Sequence, residues 1–319
     1  MRIGFIGVGG IAGNYLRSLA KLKQSVAAIC DINPERAAAV SGELRARGYH
    51  DYRNMLQRER LDAVFICIPP GAHTTQIGDT ASAGIAVFVA KPVALDVETA
   101  ARTRDAIRKA GVINQVGYMA RYADVTERAR DLLKDRPVSL AFGRFLCRMG
   151  SSHPWWGNSG VSGGQMVEQS THVFDLLRSF AGEVDYVQAF GHHGSGNDIA
   201  DFEDSTVCNL RFHSGAVGNV VSTCIARAHE GFAAELSGRD FYIRLALDLH
   251  LTGQLDGKPV EYIGEESGYF RQVERFLRAV EAKDQSQVRS SYEDAMKTLA
   301  VTLAANRSLK TGAVEKVES

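Results

Sequence analysis

The sequence predicts an α/β Rossmann domain, a doubly wound parallel sheet, followed by an α+β domain with a large, mostly antiparallel open sheet. Three observations predict it. Short apolar runs alternate with amphipathic helical stretches through the first 120 residues, a rhythm that gives parallel strands joined by right-handed crossovers. A glycine-rich turn, Gly7-Val8-Gly9-Gly10, stands between the first apolar run and the first helical stretch. Beyond about residue 184 the rhythm changes to β-rich runs separated by turn signals, the pattern of an antiparallel meander.

In chain order, the first strands are expected at Ile3–Ile6, Val26–Cys30, 63–68, Ala86–Val89 and 112–116. Each is short and almost continuously apolar, as strands covered on both faces must be. Helices are expected near 11–23, 34–46, 73–83 and 96–110. Asn33 followed by Pro34 supplies an N-cap and a proline at the first helical position. Asp96 is a second N-cap, and Gly84 and Gly111 fall where helices stop. Past residue 120 a helix near 122–135 leads to Pro137, a strand over 138–147, a Gly/Trp/Ser-rich loop over 150–164 and one helix over 165–181. Strand-like runs at Ser205–Phe212 and 216–225 flank the turn His213-Ser214-Gly215, and helical patterns return near 268–282 and 291–309. The expected division is 1–120 for the Rossmann domain and 121–319 for the second. The sheet of the second domain needs cover on both faces. Helices can supply one side and a partner subunit the other, which points to a homo-dimer or homo-tetramer.

The chain has 319 residues, 45% hydrophobic and 23% charged, enough material for two buried cores. Lys plus Arg and Asp plus Glu both number 37, so no global field would draw in nucleic acid or an anionic membrane. The five cysteines are scattered and contain no C-x-x-C pair, which argues against a disulfide framework or a zinc site. Cys30 and Cys67 lie in apolar runs and read as small buried hydrophobes. Met1 leads straight into a strand-like segment rather than a signal sequence. No run reaches the length that spans a bilayer, and a cytoplasmic protein is expected. His192-His193 stands among glycines and serine and reads as a solvated turn.

The turn Gly7-Val8-Gly9-Gly10-Ile11-Ala12 has the form G-x-G-x-x-A between a strand and a helix, the context that the dinucleotide fingerprint requires. Gly7 permits the tight turn and Gly9 lets the backbone approach a pyrophosphate. Gly10 and Ile11 then open the helix whose free N–H groups and dipole face the anion. Asp31 ends the second strand at close to the spacing expected of the residue that accepts hydrogen bonds from the adenosine ribose. Its charge would repel a 2′-phosphate, so NAD is the expected cofactor. Arg36, one helical turn on, leaves NADP possible.

Further motifs follow the expected strands at 63–68 and Ala86–Val89. Ile68-Pro69-Pro70-Gly71-Ala72-His73 and Val89-Ala90-Lys91-Pro92, with Gly117 closing the next strand, resemble the Gfo/Idh/MocA family of oxidoreductases. The resemblance continues at Gly163-Gly164-Gln165-Met166-Val167-Glu168-Gln169-Ser170-Thr171-His172-Val173-Phe174-Asp175. It implies hydride transfer between a nicotinamide and a secondary hydroxyl of a sugar, cyclitol, polyol or glycoside. Pro69, His73 and Lys91 would then lie along the cofactor, Lys91 would also help move the hydroxyl proton, and His172 would be the catalytic or substrate-orienting histidine. His73 is explained equally by capping or packing.

Two departures stand out. Ala90 occupies the place of the family's usual glutamate, which removes a carboxylate that would help orient Lys91. Glu168 replaces the more usual aspartate. On one continuous helix Glu168, His172 and Asp175 share a face, and a carboxylate beside an imidazole raises its basicity. Arg121 falls at the expected domain junction, where a guanidinium could reach a polar substrate. Trp155 and Trp156, in His153-Pro154-Trp155-Trp156, suit the C–H face of a sugar as well as a plain core or subunit contact. Two other functions stay open under the same resemblance: an NAD-dependent glycoside hydrolase, and a dinucleotide-responsive binding protein that has lost catalysis.

Overall fold

All five apolar runs of the first third form strands in the computed structural model, which describes residues 1–150, 155–194, 200–228, 231–247 and 249–318. The strands are β1 (Ile3–Ile6), β2 (Val26–Cys30), β4 (Ala63–Ile66), β5 (Ala86–Val89) and β6 (Asn114–Val116), with β3 (Arg47–Tyr49) between β2 and β4. Between them run α1 (Ala12–Lys21), α2 (Pro34–Leu44), α3 (Tyr52–Arg58), α4 (Gln76–Ser82) and α5 (Val97–Ala110). The expected caps are in place: Asn33 accepts from Arg36 N, Asp96 accepts from Thr99 N, and Gly111 ends α5 in the left-handed conformation. Neither β3 nor α3 shows in the apolar pattern. β3 is a three-residue edge strand whose extended form comes from pairing with β2. The sheet order β3-β2-β1-β4-β5-β6, all parallel, is that of a dinucleotide fold with its crossover between β1 and β4.

From there the chain passes through α6 (Asp124–Leu132), β7 (Leu140–Leu146), α7 (Ser159–Ser162), α8 (Gly164–Glu168), α9 (Thr171–Ala181) and β8 (Val184–His192). Next come β9 (Ser205–Phe212), β10 (Val217–Thr223), β11 (Phe232–Gly238), β12 (Phe241–Ala246), β13 (His250–Leu255) and β14 (Lys258–Ile263). It ends with α10 (Gly268–Ala282), α11 (Tyr292–Thr311) and β15 (Glu315–Lys316). The nine strands from β7 on form one sheet in the order β14-β13-β12-β11-β7-β10-β9-β8-β15. Only the β7–β10 pair is parallel.

The chain divides into two units, Met1–Tyr118 with Tyr269–Asp294, and Met119–Gly268 with Ala295–Ser319. A boundary at residue 120 therefore needs one correction, because Tyr269–Asp294 returns to the first unit. The reason is apolar cover. Phe5, Phe65, Phe88 and Tyr15 form a buried aromatic stack, with Phe65 and Phe88 centroids 4.7 Å apart. Phe276 of α10 meets Phe65 and Phe88 edge-on at 5.6 and 5.4 Å, and Val273 and Leu277 bury beside it. Aromatic pairs of this geometry contribute about 0.5–1.5 kcal/mol each beyond their area.

The second unit carries its core on one face of the nine-stranded sheet, under α6, α9 and α11. Gly143 of β7 permits the closest approach there, since a Cβ would stand 2.2 Å from Val173 Cγ1 of α9. On the other face alternate residues are exposed, among them Leu140, Phe190, Val207, Val217 and Tyr242. No disulfide joins any of the five cysteines, and burial pushes the Cys30 and Cys208 thiols up to about 11 and about 12. No helix of the described residues is long and apolar enough to cross a membrane.

A buried carboxylate ties the foot of the first sheet. Glu59, just after α3, accepts from Tyr49 Oη at 2.7 Å, Arg47 Nη1 at 3.1 Å and Arg2 Nη2 at 2.7 Å. Burial alone raises the Glu59 pKa, but the Tyr49 and Arg47 hydrogen bonds and the Arg47 and Arg2 charges outweigh it and hold the group below its ordinary 4.5. A depressed folded-state value contributes stability that is present above the unfolded value and lost as pH falls through the folded one. Glu59→Gln is therefore expected to lower the thermal midpoint at pH 7 and to flatten its decline below pH 4.5. Melts followed by circular dichroism at pH 7 and pH 4 test this, and parallel curves for variant and wild type would refute it.

Candidate active site

The first unit supplies a dinucleotide cradle. Gly7 follows β1 with φ +84°, and a Cβ there would stand 2.6 Å from the Cys67 carbonyl oxygen after β4, so only glycine fits. At Gly9 a Cβ would meet nothing within 4 Å, which leaves open space against the backbone. Gly10 is exposed, Ile11 is the N-cap position, and no side chain caps α1. The start of a ten-residue helix thus faces that space with N–H groups available to an anion. These features fit a bound pyrophosphate.

Asp31, buried at the end of β2, serves the turn directly. Its Oδ2 accepts from Val8 N at 3.0 Å, its Oδ1 accepts from Asn33 N at 2.9 Å, and Arg36 Nη1 lies 3.5 Å from Oδ2. The carboxylate expected at the ribose therefore also fixes the glycine turn. Next to it Ile32 is 92% exposed, a flat apolar surface that the fingerprint pattern passes over.

The Lys91 loop lies at the end of β5. Ala90 is buried and its N–H donates to the Ile66 carbonyl at 2.9 Å, while Lys91 is half-buried ahead of a cis Lys91–Pro92 peptide. The Val93 carbonyl accepts from His73 Nδ1 at 2.9 Å and from Tyr292 Oη at 3.2 Å. His73 is buried, and burial lowers its pKa against the opposing pull of the Val93 and Ile68 backbone, so its neutral ring donates to Val93. Through this bond His73 braces the Lys91 loop. Pro69 precedes the short 3-10 turn Pro70–Ala72 that carries His73. Tyr292 was not legible as part of this loop, since it lies 199 residues from Val93. Ser290, two residues earlier, donates through Oγ to the Val116 carbonyl at 2.7 Å.

In the second unit the helix expected over 165–181 is broken. α8 ends at Glu168 and α9 begins at Thr171. Ser170 N reaches back to the Gln165 carbonyl at 3.0 Å and its Oγ bonds the same oxygen at 3.1 Å. Such a five-residue return widens the turn, so Glu168, His172 and Asp175 do not form the single helical stripe expected of them. Glu168 and His172 are both buried. The His172 ring packs beside Phe145 of β7, nearly parallel at 6.4 Å, and Phe232 of β11 at 6.0 Å, the two phenyl rings themselves meeting at 5.3 Å.

Arg121 and Asp175 pair with each other. Asp175 has no exposed surface and takes a bidentate pair from Arg121, Nε and Nη2 each at 2.6 Å. Thr298 Oγ1 donates to Asp175 Oδ1 at 2.9 Å, and Arg178 stands 3.6 Å away. Arg178 passes the network on to Glu183 at 2.6 Å. Side chains this buried and mutually engaged hold α9 to α11. Trp155 and Trp156 are half-buried, and Trp156 packs on a satellite cluster of Met149, Phe202 and Cys224. His153 and Pro154 lie outside the described residues. Among the described residues no group of histidine, cysteine and carboxylate side chains could hold a metal ion.

Comparison with known proteins agrees with this geometry. Residues 1–118 match the oxidoreductase family with an NAD-binding Rossmann fold, and residues 137–244 match the GFO/IDH/MocA C-terminal domain. The chain is 26% identical to D-xylose 1-dehydrogenase (NADP(+)) 2 of Haloferax volcanii over 100% of both chains. It is 25% identical to myo-inositol 2-dehydrogenase of Thermotoga maritima over 100% of this chain and 99% of that one. A levoglucosan dehydrogenase in complex with NADH and levoglucosan shares the fold with a TM-score of 0.91, at 19% identity over 100% of this chain and 99% of that one.

Proposed function

Because the chain belongs to the Gfo/Idh/MocA oxidoreductase family, we propose that it oxidises or reduces a sugar, cyclitol or related polyol at a secondary hydroxyl carbon, with NAD as cofactor. The bound nicotinamide supplies a hydride acceptor or donor. The single observation that carries the reading is the joint presence of the open glycine cradle at Gly7–Gly9 and a braced lysine loop in one unit. The substrate class is supported by the xylose and inositol dehydrogenases among the relatives.

In the oxidising direction the substrate carbon loses a hydride and its oxygen loses a proton. Lys91 binds that oxygen and, with His172, moves its proton, with Glu168 orienting. The bracing of Val93 by His73 and Tyr292 takes over the positioning that Ala90 cannot provide. Ile32 gives the adenine an apolar surface, and Asp31 receives the ribose hydroxyls. The exposed apolar residues on the free sheet face, Phe190, Val207 and Val217 among them, support a homo-oligomer formed through that face.

Two measurements test the reading. Titration should show NAD binding more tightly than NADP, and Asp31→Asn should weaken NAD by about tenfold or more, as expected for losing hydrogen bonds to a charged acceptor. Turnover at 340 nm with pentoses, hexoses and inositols should fall about 10²-fold or more in His172→Ala. Failure of both dinucleotides to bind would end the proposal. Cleavage of a glycoside with no net absorbance change would replace it with the hydrolase.

A further inference from the structure

We propose that the second unit carries a subsite for an oxyanion, formed by Arg148 and Arg227, that receives a phosphoryl or carboxylate group attached to the substrate. That the anion belongs to a substrate rests on the oxidoreductase reading above; the anion site itself does not. β7 and β10 run parallel to the pair Leu146 and Thr223. Beyond their ends the two segments stay together: Cys147 N donates to the Thr223 carbonyl at 2.9 Å, Met149 N to the Cys224 carbonyl at 2.7 Å, and Arg148 bridges Ile225. This junction opens on a recess of about 400 Å³ lined by Arg148, Met149, Gly150, Ile225 and Arg227.

The chemistry of the lining is one-sided. Both arginines are exposed, none of the five residues is acidic, and among the described residues neither guanidinium has a carboxylate partner. Two like charges at one small opening repel each other, and the local field draws in an anion. The guanidinium fork matches carboxylate and phosphate oxygens bidentately. The floor is firm: Met149 is buried and packs with Phe202 and Cys224, with Ile225 and Trp156 against them. An apolar floor under two cationic groups suits an anion carried on a carbon framework better than a free ion.

The preferred substrates are then sugar phosphates, uronates or nucleotide-linked sugars rather than neutral sugars.

Isothermal titration calorimetry on the full chain tests the site with glucose 1-phosphate, glucuronate and glucose. At least one anionic ligand should bind with a dissociation constant tenfold or more below that of glucose, and the stronger of the two identifies phosphoryl or carboxylate. That advantage should shrink with added salt and disappear in the Arg148→Gln/Arg227→Gln double variant, while the Lys/Lys variant keeps part of it. Equal affinity for glucose and both anions, or unchanged anion binding in the glutamine variant, would overturn the proposal. NAD titration of the same samples separates the two readings: loss of NAD binding in the wild type defeats the oxidoreductase reading, whereas intact NAD binding without anion preference defeats this one alone.

Discussion

Replacing Lys91 with alanine is expected to lower kcat/KM by about 10²–10⁴, the range in which a positioned proton-transfer group contributes. The side chain sits half-buried on a loop whose backbone is held by His73 and Tyr292 through one carbonyl oxygen. Alanine keeps that backbone and removes the ammonium with its alkyl stem, so NAD affinity should change far less than the rate. Initial rates at 340 nm together with NAD titration make the comparison. Wild-type turnover in the variant would remove Lys91 from the reaction. Tyr292→Phe supplies a control for positioning: it should lower kcat while leaving NAD affinity intact, because it loosens the loop without touching Lys91.

The second large effect concerns stability. Asp175→Ala is expected to destabilise the protein by about 3–5 kcal/mol, the range for breaking a buried ion pair and leaving its partner uncompensated. Here Arg121 loses its bidentate contacts at 2.6 Å, whereas Arg178, 3.6 Å away, keeps its pair with Glu183. Thr298 also loses the acceptor for its hydroxyl. Asp175→Asn, which keeps the shape and one acceptor, should fall between wild type and alanine. Urea denaturation gives the difference. If the alanine variant instead keeps its unfolding midpoint and raises KM, Asp175 contacts substrate after all.

These residues mark where sequence reasoning reaches and where it stops. Gly7, Gly9 and Asp31 were legible because each answers a local demand. Gly7 must turn with positive φ against Cys67, and Asp31 lies at a fixed interval from the turn it bonds. Asn33, Asp96 and Gly111 were legible as caps for the same reason. Glu168, His172 and Asp175 were found as residue types, but their shared face depended on an unbroken helix. The Ser170 hydroxyl competes for the Gln165 carbonyl and breaks it, and this local competition has no signature in hydrophobic periodicity.

The sequence by itself determined five of the strands and four of the helices of the first unit, and the cradle after β1. Each of these follows from apolar period, backbone conformation and short-range hydrogen bonding, which act over a few residues. The tertiary structure alone decided that α10 closes the aromatic core around Phe65 and Phe88, that Tyr292 holds the Lys91 loop, and that Arg121 and Asp175 spend their charges on each other. Those outcomes join residues 54 to 211 positions apart. The burial and charge pairing that select them exist only once the chain has brought the partners together.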